Sequence, residues 1–239
     1  MTVPTYDDWM ALSRTEYDRL LALLRGLDDE QWYADTVCPG WRVREMVAHL
    51  VGAGESNASI REAVRQTRLG RGLAQGRDLV DGINDVQVRE RTELSPTQLV
   101  DALAEVAPRA LRGRARVPRA LRAVQVPFGP PVGTASVGYL MGRIYTRDLW
   151  MHRLDIAAAT GTQPLLTADH DGVLVADVVA EWAGRHGTPY RLELTGPAGG
   201  TFASPDAPDD AIVLDTEQFV ASASGREPAV PPFATTVPF

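Results

Sequence analysis

Four histidines are the main candidates for acid–base or metal chemistry in this chain, and two of them fall within predicted helices. His49 shares an apolar stripe with Met46 and Val47, whereas His152 follows Asp148 by four residues. Positions four apart on a helix differ by only about 40° around the axis, so Asp148 and His152 project from one face. With a second imidazole from another helix they could form a three-ligand site with an open position, as in catalytic zinc centres.

The same spacing also has a simpler explanation. An acidic residue and a histidine four positions apart often form an ion pair on a helix surface, worth about 0.2–0.5 kcal/mol. The spacing of Asp148 and His152 alone therefore leaves a metal site and a surface ion pair open.

Hydrophobic periodicity places these candidates in a helical bundle. Helical patterns cover residues 6–26, 41–68, about 80–111 with a restart after Ser95-Pro96, and 135–160. An irregular stretch over residues 113–133 contains four prolines. Four long amphipathic helices favour a bundle, because each has an apolar face to bury against the others.

The last part of the chain has a different pattern. A helix over about 168–185 is followed by strands at 191–196 and 211–215, a turn at Gly199-Gly200 and a helix over 217–224. Residues 228–239 are predicted to form an extended, poorly anchored tail. The predicted fold class is therefore α+β, with a helical bundle over residues 1–165 that carries the candidate metal ligands and a small α/β domain over 166–239.

Composition excludes several classes of function. The formal net charge of −7 argues against nucleic-acid binding, and a single cysteine cannot form an internal disulfide bond. That residue, Cys38, and the nearby Trp41 are interpreted as packing residues. No secretory leader is recognisable, and no apolar run reaches the ~18 residues of a membrane span. The prediction is a soluble, cytoplasmic protein. Every basic residue is arginine, which suggests a GC-rich genome.

Two segments carry a resemblance to a known family. CPGWRVREMVAHL (38–50) and TRDLWMHRLDIA (146–157) resemble the signatures of the DinB-like superfamily. Within it they resemble most the mycothiol-dependent maleylpyruvate isomerase family. DGINDVQ (81–87) is similar to the start of that family's third helix, and LTGPAGGT (194–201) and SGR (224–226) are similar to its C-terminal domain.

The resemblance implies a DinB-like four-helix bundle with a divalent metal, most suitably Zn²⁺. Carried over by position, the metal ligands are His49, Asp148 and His152. It also implies mycothiol, a thiol of actinobacteria, as cofactor or co-substrate. One position departs from the family pattern, which has Glu where this chain has Asp148. Because Asp is one methylene shorter, the helix must approach the metal more closely or a water must bridge.

Other polar residues have two interpretations each. Asn84 and Gln87 share a helical face and could line the cofactor pocket, or could be capping or surface residues. Arg226 matches a family arginine thought to serve the active site, as a catalytic or mycothiol-binding group, but a surface position is equally compatible. Asp155 could orient an imidazole, although an ion pair with Arg153 or another neighbour is the favoured interpretation.

The sequence therefore predicts a mycothiol-dependent metalloenzyme that isomerises a small electrophilic substrate or transfers a thiol to it. Two alternatives remain open: a metal-dependent hydrolase, and a non-enzymatic protein that binds a small ligand. The predicted partners are mycothiol and a small-molecule substrate, with no nucleic acid and no membrane. The sequence predicts no oligomeric state.

Overall fold

A computed structural model describes residues 3–129, 132–227, 233 and 235–239. The chain divides into two compact units, one up to Pro164 and one from Leu165. Within the described part of the chain, no helix is both long enough and apolar enough to cross a membrane.

The unit up to Pro164 is built mainly of helices. Its elements are α1 (Tyr6–Arg25), a 3₁₀ turn (Gln31–Tyr33), α2 (Val43–Ala58), α3 (Ile60–Ala74), α4 (Leu79–Arg89), α5 (Pro96–Ala115), α6 (Arg119–Arg122), β1 (Gln125–Gly129), β2 (Gly133–Ser136), α7 (Val137–Tyr139), a π turn (Leu140–Ile144) and α8 (Tyr145–Thr160). Helices α1, α2, α5 and α8 pack together as a bundle, and α3 and α4 form a hairpin against α2.

The bundle is held by an apolar core and by a buried ion pair between α1 and α8. The core side chains come from all four bundle helices and include Leu20, Met46, Leu50, Leu99, Leu103 and Ile156. Arg153 of α8 donates to both carboxylate oxygens of Glu16 on α1, at 2.8 and 3.0 Å. Because both side chains are almost completely buried, removing either would leave an uncompensated charge, so the pair fixes α8 against α1.

The helix predicted over residues 41–68 is in fact two helices. Ser59 has extended backbone angles (φ −148°, ψ 119°) and separates α2 from α3. Its side chain accepts a hydrogen bond from the backbone N–H of Glu62, which caps α3. The break allows α3 to turn and pair with α4, and Gly82 lies so close to α3 that a Cβ there would be 2.1 Å from the carbonyl oxygen of Gly70.

The stretch predicted to be irregular contains regular structure. β1 and β2 form an antiparallel hairpin, preceded by the short helix α6. Pro127 pairs with Thr134 within this ladder, and Pro130 and Pro131 lie outside the described residues.

The unit from Leu165 combines two helices with a small sheet. Its elements are α9 (Asp171–His186), β3 (Arg191–Thr195), β4 (Gly200–Ala203), β5 (Ile212–Asp215) and α10 (Thr216–Ala223). The strand order is β4-β3-β5, with β4 antiparallel and β5 parallel to β3. The predicted fold class, a helical bundle followed by a small α/β region, is confirmed. Sequence analysis missed β4, since Gly200, predicted as part of a turn, begins that strand.

The predicted poorly anchored tail is wrong where the structure describes it. Phe233 is buried, with its ring 5.4 Å from that of Trp182 and 5.7 Å from that of Phe219. The backbone N–H of Val237 donates to the carbonyl of Ala223. An aromatic cluster therefore anchors this end of the chain; residues 228–232 and 234 lie outside the described residues.

Candidate metal centre

The structure brings the three predicted ligand side chains together. His49 comes from α2, and Asp148 and His152 come from α8. The Nε2 atom of His49 lies 3.7 Å from Oδ2 of Asp148, and Nε2 of His152 lies 3.4 Å from Oδ1 of the same carboxylate. All three residues offer ligating atoms within 4.8 Å of one another. The carboxylate thus lies between two imidazoles whose rings are nearly perpendicular.

These separations fit a tetrahedral cation. Ligand atoms about 2.1 Å from a tetrahedral centre are about 3.4 Å apart, and each imidazole lies near that distance from one of the two carboxylate oxygens, His49 from Oδ2 and His152 from Oδ1. The donor set of two nitrogens and one carboxylate oxygen is typical of catalytic zinc sites. The shorter side chain of Asp148 still reaches both imidazoles, that of His152 on its own helix and that of His49 on α2.

One side of the cluster is more open than the rest. The side chains of His49 and His152 are 8% and 9% exposed, whereas that of Asp148 is 23% exposed. The imidazoles are therefore shielded while the carboxylate faces more open surroundings. Such a cluster can present a fourth, exchangeable position to a small ligand, which a closed structural site cannot.

His152 is held by a second carboxylate. Its Nδ1 lies 3.0 Å from Oδ2 of Asp155, one turn further along α8. The predicted ion pair of Asp155 with a neighbour is thus present toward His152 whenever that imidazole is protonated, and the guanidinium of Arg153 donates to Glu16. Asp155 thus has the position of a residue that orients the imidazole and leaves its Nε2 for Asp148 or a metal.

His49 is held by an amide. Its Nδ1 lies 2.7 Å from Oε1 of Gln87, which is buried on α4. Asn84 lies one turn earlier on α4 and is partly buried. Since both ends of the Gln87 amide have partners inside the bundle, its placement is that of a residue that orients His49. A contact of Asn84 or Gln87 with mycothiol stays a prediction.

Arg226 belongs to the other unit. It follows the C-terminal end of α10, and its backbone N–H donates to the carbonyl of Ala221. Its predicted role as a catalytic or thiol-binding group stays a prediction.

A tight turn places an aromatic ring and a thiol at the cluster. Gly40 has φ +80°, and the N–H of Trp41 donates to the carbonyl of Cys38, which closes the turn. The Trp41 ring lies 5.1 Å from the ring of His49 and 6.3 Å from that of His152. Cys38 is also within 4.8 Å of ligating atoms of His152 and Asp155. Both residues, interpreted from sequence as packing, therefore border the candidate site.

A buried arginine sets the start of α8. Arg114 is fully buried and donates to the carbonyls of Met141 and Gly142 in the π turn, at 2.5 and 3.0 Å, and to the hydroxyl of Thr146 at 2.8 Å. A π turn leaves backbone carbonyls without their usual helical partners, and π turns are common at functional sites. These bonds fix the first turn of α8, which begins three residues before Asp148.

The cluster combines an anionic carboxylate with a basic imidazole, whose proton a bound cation would displace. Burial by itself would raise the pKa of Asp148, but His152 and His49 outweigh it and hold that pKa well below its usual range. Burial lowers the pKa of His152, whereas Asp148 and Asp155 raise it, to about 9. Burial also raises the pKa of Tyr17 to about 12. The carboxylate of Asp148 is therefore ionised at neutral pH and attracts positive charge.

Sequence reasoning missed Gln66 and Arg114, which support the site from other helices. Polar residues inside apolar helical stripes were the available signal, because buried polar groups must find hydrogen-bond partners. Their partners could not be assigned without the tertiary structure.

Curated relatives and solved structures resemble this chain over most of its length. Two uncharacterised proteins from strains of Mycobacterium tuberculosis are each 27% identical over 202 residues, covering 80% of this chain and 74% of theirs. The crystal structures of a mycothiol-dependent maleylpyruvate isomerase and of a point mutant of it each match with a TM-score of 0.60. Each match covers 95% of this chain and 93% of the other at 16% identity. At that identity the match establishes a shared fold.

The family assignment comes from the part of the chain that carries the cluster. The family model for the mycothiol maleylpyruvate isomerase N-terminal domain matches residues 13–157. That range exceeds half of the chain and includes His49, Asp148 and His152. The protein therefore belongs to the mycothiol maleylpyruvate isomerase N-terminal domain family.

Proposed function

We propose that this protein is a mycothiol-dependent metalloenzyme that acts on a small electrophilic substrate, as an isomerase or as a thiol S-transferase. The observation that carries the proposal is the convergence of His49, Asp148 and His152 at the spacing of a tetrahedral site. Membership in the family supports the choice of mycothiol as the thiol.

In this proposal the three side chains hold a divalent cation, most suitably Zn²⁺. Bound there, the cation would lower the pKa of a coordinating thiol, which is otherwise mostly protonated at neutral pH. A thiolate that adds to an activated cis double bond gives a delocalised carbanion with a single bond free to rotate. Expulsion of the thiolate from this carbanion re-forms the double bond and completes an isomerisation, whereas return of the proton that the thiol lost gives the neutral adduct and completes an S-transfer.

The chain's own residues prepare this chemistry. Asp148 supplies the only negative charge among the three ligands and is ionised at neutral pH. Asp155 holds Nδ1 of His152 and Gln87 holds Nδ1 of His49, so the Nε2 atom of each imidazole faces the carboxylate of Asp148. The Trp41 ring lies beside both imidazoles, with its centroid 5.1 Å from that of His49 and 6.3 Å from that of His152.

Elemental analysis combined with a thiol-dependence assay tests the proposal. We expect one Zn²⁺ or similar divalent ion per chain, and turnover of an electrophile panel only when mycothiol is added to metal-replete protein. Equal turnover without the thiol would favour a metal-dependent hydrolase. No metal and no turnover would favour a ligand-binding protein. Either result overturns the proposal.

Two variants separate the metal from the thiol. His49→Ala should abolish turnover while circular dichroism shows a folded protein. Arg226→Ala should weaken mycothiol binding and leave the metal content unchanged. If Arg226→Ala binds mycothiol as tightly as the wild type, Arg226 has no role in thiol recognition.

A further inference from the structure

Behind His49 a line of buried polar side chains runs through three helices. From Nδ1 of His49 the line passes to Gln87 Oε1 at 2.7 Å, and from Gln87 Nε2 to Gln66 Oε1 at 2.8 Å. Gln66 Nε2 then donates to Glu62 Oε1 at 2.9 Å and to the carbonyl oxygen of Gly52 at 3.0 Å. Gln87 is 3% exposed and Gln66 is not exposed at all, so neither amide can exchange these partners for water.

The far end of the line fixes the direction of every hydrogen bond in it. Arg65 donates two hydrogen bonds to the Glu62 carboxylate and holds its pKa below the usual range. An ionised carboxylate and a backbone carbonyl can only accept. The atom of Gln66 that contacts both must therefore be the NH₂ group.

The remaining orientations follow one from the next. If the NH₂ group of Gln66 faces Glu62 and Gly52, its oxygen faces Gln87, which must then donate. The oxygen of Gln87 is left to face His49, and an amide oxygen can only accept. The Nδ1 atom of His49 therefore carries a hydrogen, so that in the neutral ring Nε2 keeps the lone pair that a cation between it and Asp148 would take.

We propose that Gln66 and Gln87 form an amide relay that selects the Nδ1–H tautomer of His49 and fixes its ring for binding a metal through Nε2. Both are positioning residues, since neither touches the candidate metal position. The inference deepens the proposed function and rests on its metal site. It assigns the α3–α4 hairpin, which lies outside the four bundle helices, a role in preparing one ligand.

The backbone at Gly52 is shaped for this relay. A Cβ at Gly52 would lie 2.6 Å from Cβ and Cγ of Gln87, a distance that real side chains do not adopt. The absence of a side chain lets α4 approach α2 closely enough for the Gln87 amide to reach His49. The carbonyl of the same residue anchors Gln66.

The decisive variants change the relay without touching a ligand. Gln87→Leu removes the acceptor for His49, and we expect zinc affinity to fall by ~10–100-fold. Gln87→Glu keeps an acceptor at that position and should restore most of the affinity. Gln66→Leu removes the group that orients Gln87. It should lower the zinc affinity less than Gln87→Leu does and more than Gln87→Glu does. Gln98→Leu is the same change at an exposed position of α5, where it removes the hydrogen bond that Gln98 accepts from the backbone N–H of Ser95; it serves as the control for the loss of a glutamine hydrogen bond remote from the site.

A second readout does not depend on the metal. Two-bond ¹H–¹⁵N correlation spectra of metal-free protein report the tautomer of His49 at a pH where the ring is neutral. The wild type and Gln98→Leu should show the Nδ1–H form, and Gln87→Leu should show a mixture or the Nε2–H form. If Gln87→Leu fails to fold, Gln66→Leu carries the same comparison.

The two readouts separate failure of the relay from failure of the proposed function. A wild type that binds no zinc but shows the Nδ1–H form overturns the metal site and keeps tautomer selection. A Gln87→Leu variant that binds zinc within twofold of the wild type and keeps the Nδ1–H form overturns the relay and leaves the metal site standing.

Discussion

The two imidazoles of the candidate centre are supported by different kinds of structure. His152 is held by Asp155, three residues away on the same helix, whereas His49 is held by Gln87, 38 residues away on another helix. The first support requires only that α8 forms. The second requires that α2, α3 and α4 all pack correctly, so the geometry of His49 depends on tertiary structure and that of His152 much less.

The two supports also differ in charge. Asp155 is a carboxylate, while Gln87 is a neutral amide fixed by a second amide. Hydrogen bonds to ionised acceptors are roughly twice as strong as those between neutral groups. We call Asp155 with His152 the α8 side of the site and Gln87 with His49 the α4 side. We therefore expect the position of His152 to be less sensitive to small shifts of neighbouring side chains than that of His49. We also expect the loss of Asp155 to lower the zinc affinity more than the loss of Gln87.

The largest effect is expected at the residue that both sides share. Asp148 contacts both imidazoles and supplies the only charge among the three ligands. Asp148→Ala should lower zinc affinity by more than the ~10–100-fold typical of changes behind a ligand. Asp148→Glu, which restores the residue of the family pattern, should retain the metal. Competition with a chromogenic chelator measures both variants, and wild-type affinity in Asp148→Ala would show that the carboxylate is not a ligand.

The next largest effect is expected on the α8 side. Asp155→Ala should lower zinc affinity by ~10–100-fold, because Nδ1 of His152 loses its acceptor. Asp155→Asn keeps an acceptor oxygen without the charge, so its zinc affinity should fall less than that of Asp155→Ala. Asp101→Ala, at an exposed position on α5, is the matched control. If Asp155→Ala lowers the zinc affinity less than Gln87→Leu does, the amide of Gln87 supports the site more strongly than the carboxylate of Asp155, which contradicts the expectation.

The sequence predicts the contacts within α8 better than the contacts between helices that hold His49. The spacing of Asp148 and His152 predicts a shared helix face, and the structure places both there, because a face within one helix needs only the 3.6-residue repeat. The contact of Asp155 with His152 was available from the same repeat but was weighed below an ion pair. Nothing in the sequence connects Gln66 or Gln87 with His49, since those contacts arise from the packing of three helices.

The fold, like the site, could be predicted from the sequence only in part. The bundle helices and the strands at 191–196 and 211–215 were predictable from apolar periodicity. The break at Ser59 was not, because residues 41–68 read as a single helix and no glycine or proline stands at the break. The strand β4 was also missed, since its first residue belongs to a Gly-Gly pair that is typical of turns.

A smaller effect is expected from closing the gap between α2 and α4. Gly52→Ala should displace Gln87 and lower zinc affinity by about tenfold, the lower end of the range for residues behind a ligand. Overpacking should also lower the free energy of unfolding by about 1–3 kcal/mol. Gly72→Ala is the control, because a Cβ there meets no atom within 4 Å and should stabilise α3 by ~0.5–1 kcal/mol. Equal zinc affinity in the two variants would show that the close approach of α2 and α4 does not serve His49.

The smallest effect is expected at Cys38. Its sulfur lies within 4.8 Å of ligating atoms of His152 and Asp155, yet three ligands already complete a catalytic zinc set without it. Cys38→Ala should therefore leave zinc affinity within about threefold of the wild type, a change below 1 kcal/mol. The Co²⁺-substituted wild type should show no sulfur-to-metal charge-transfer band in the near ultraviolet before thiol is added. Such a band, together with a loss as large as that of Asp155→Ala, would mean that the turn before α2 contributes a ligand. The α8 side would then depend on tertiary structure as much as the α4 side does.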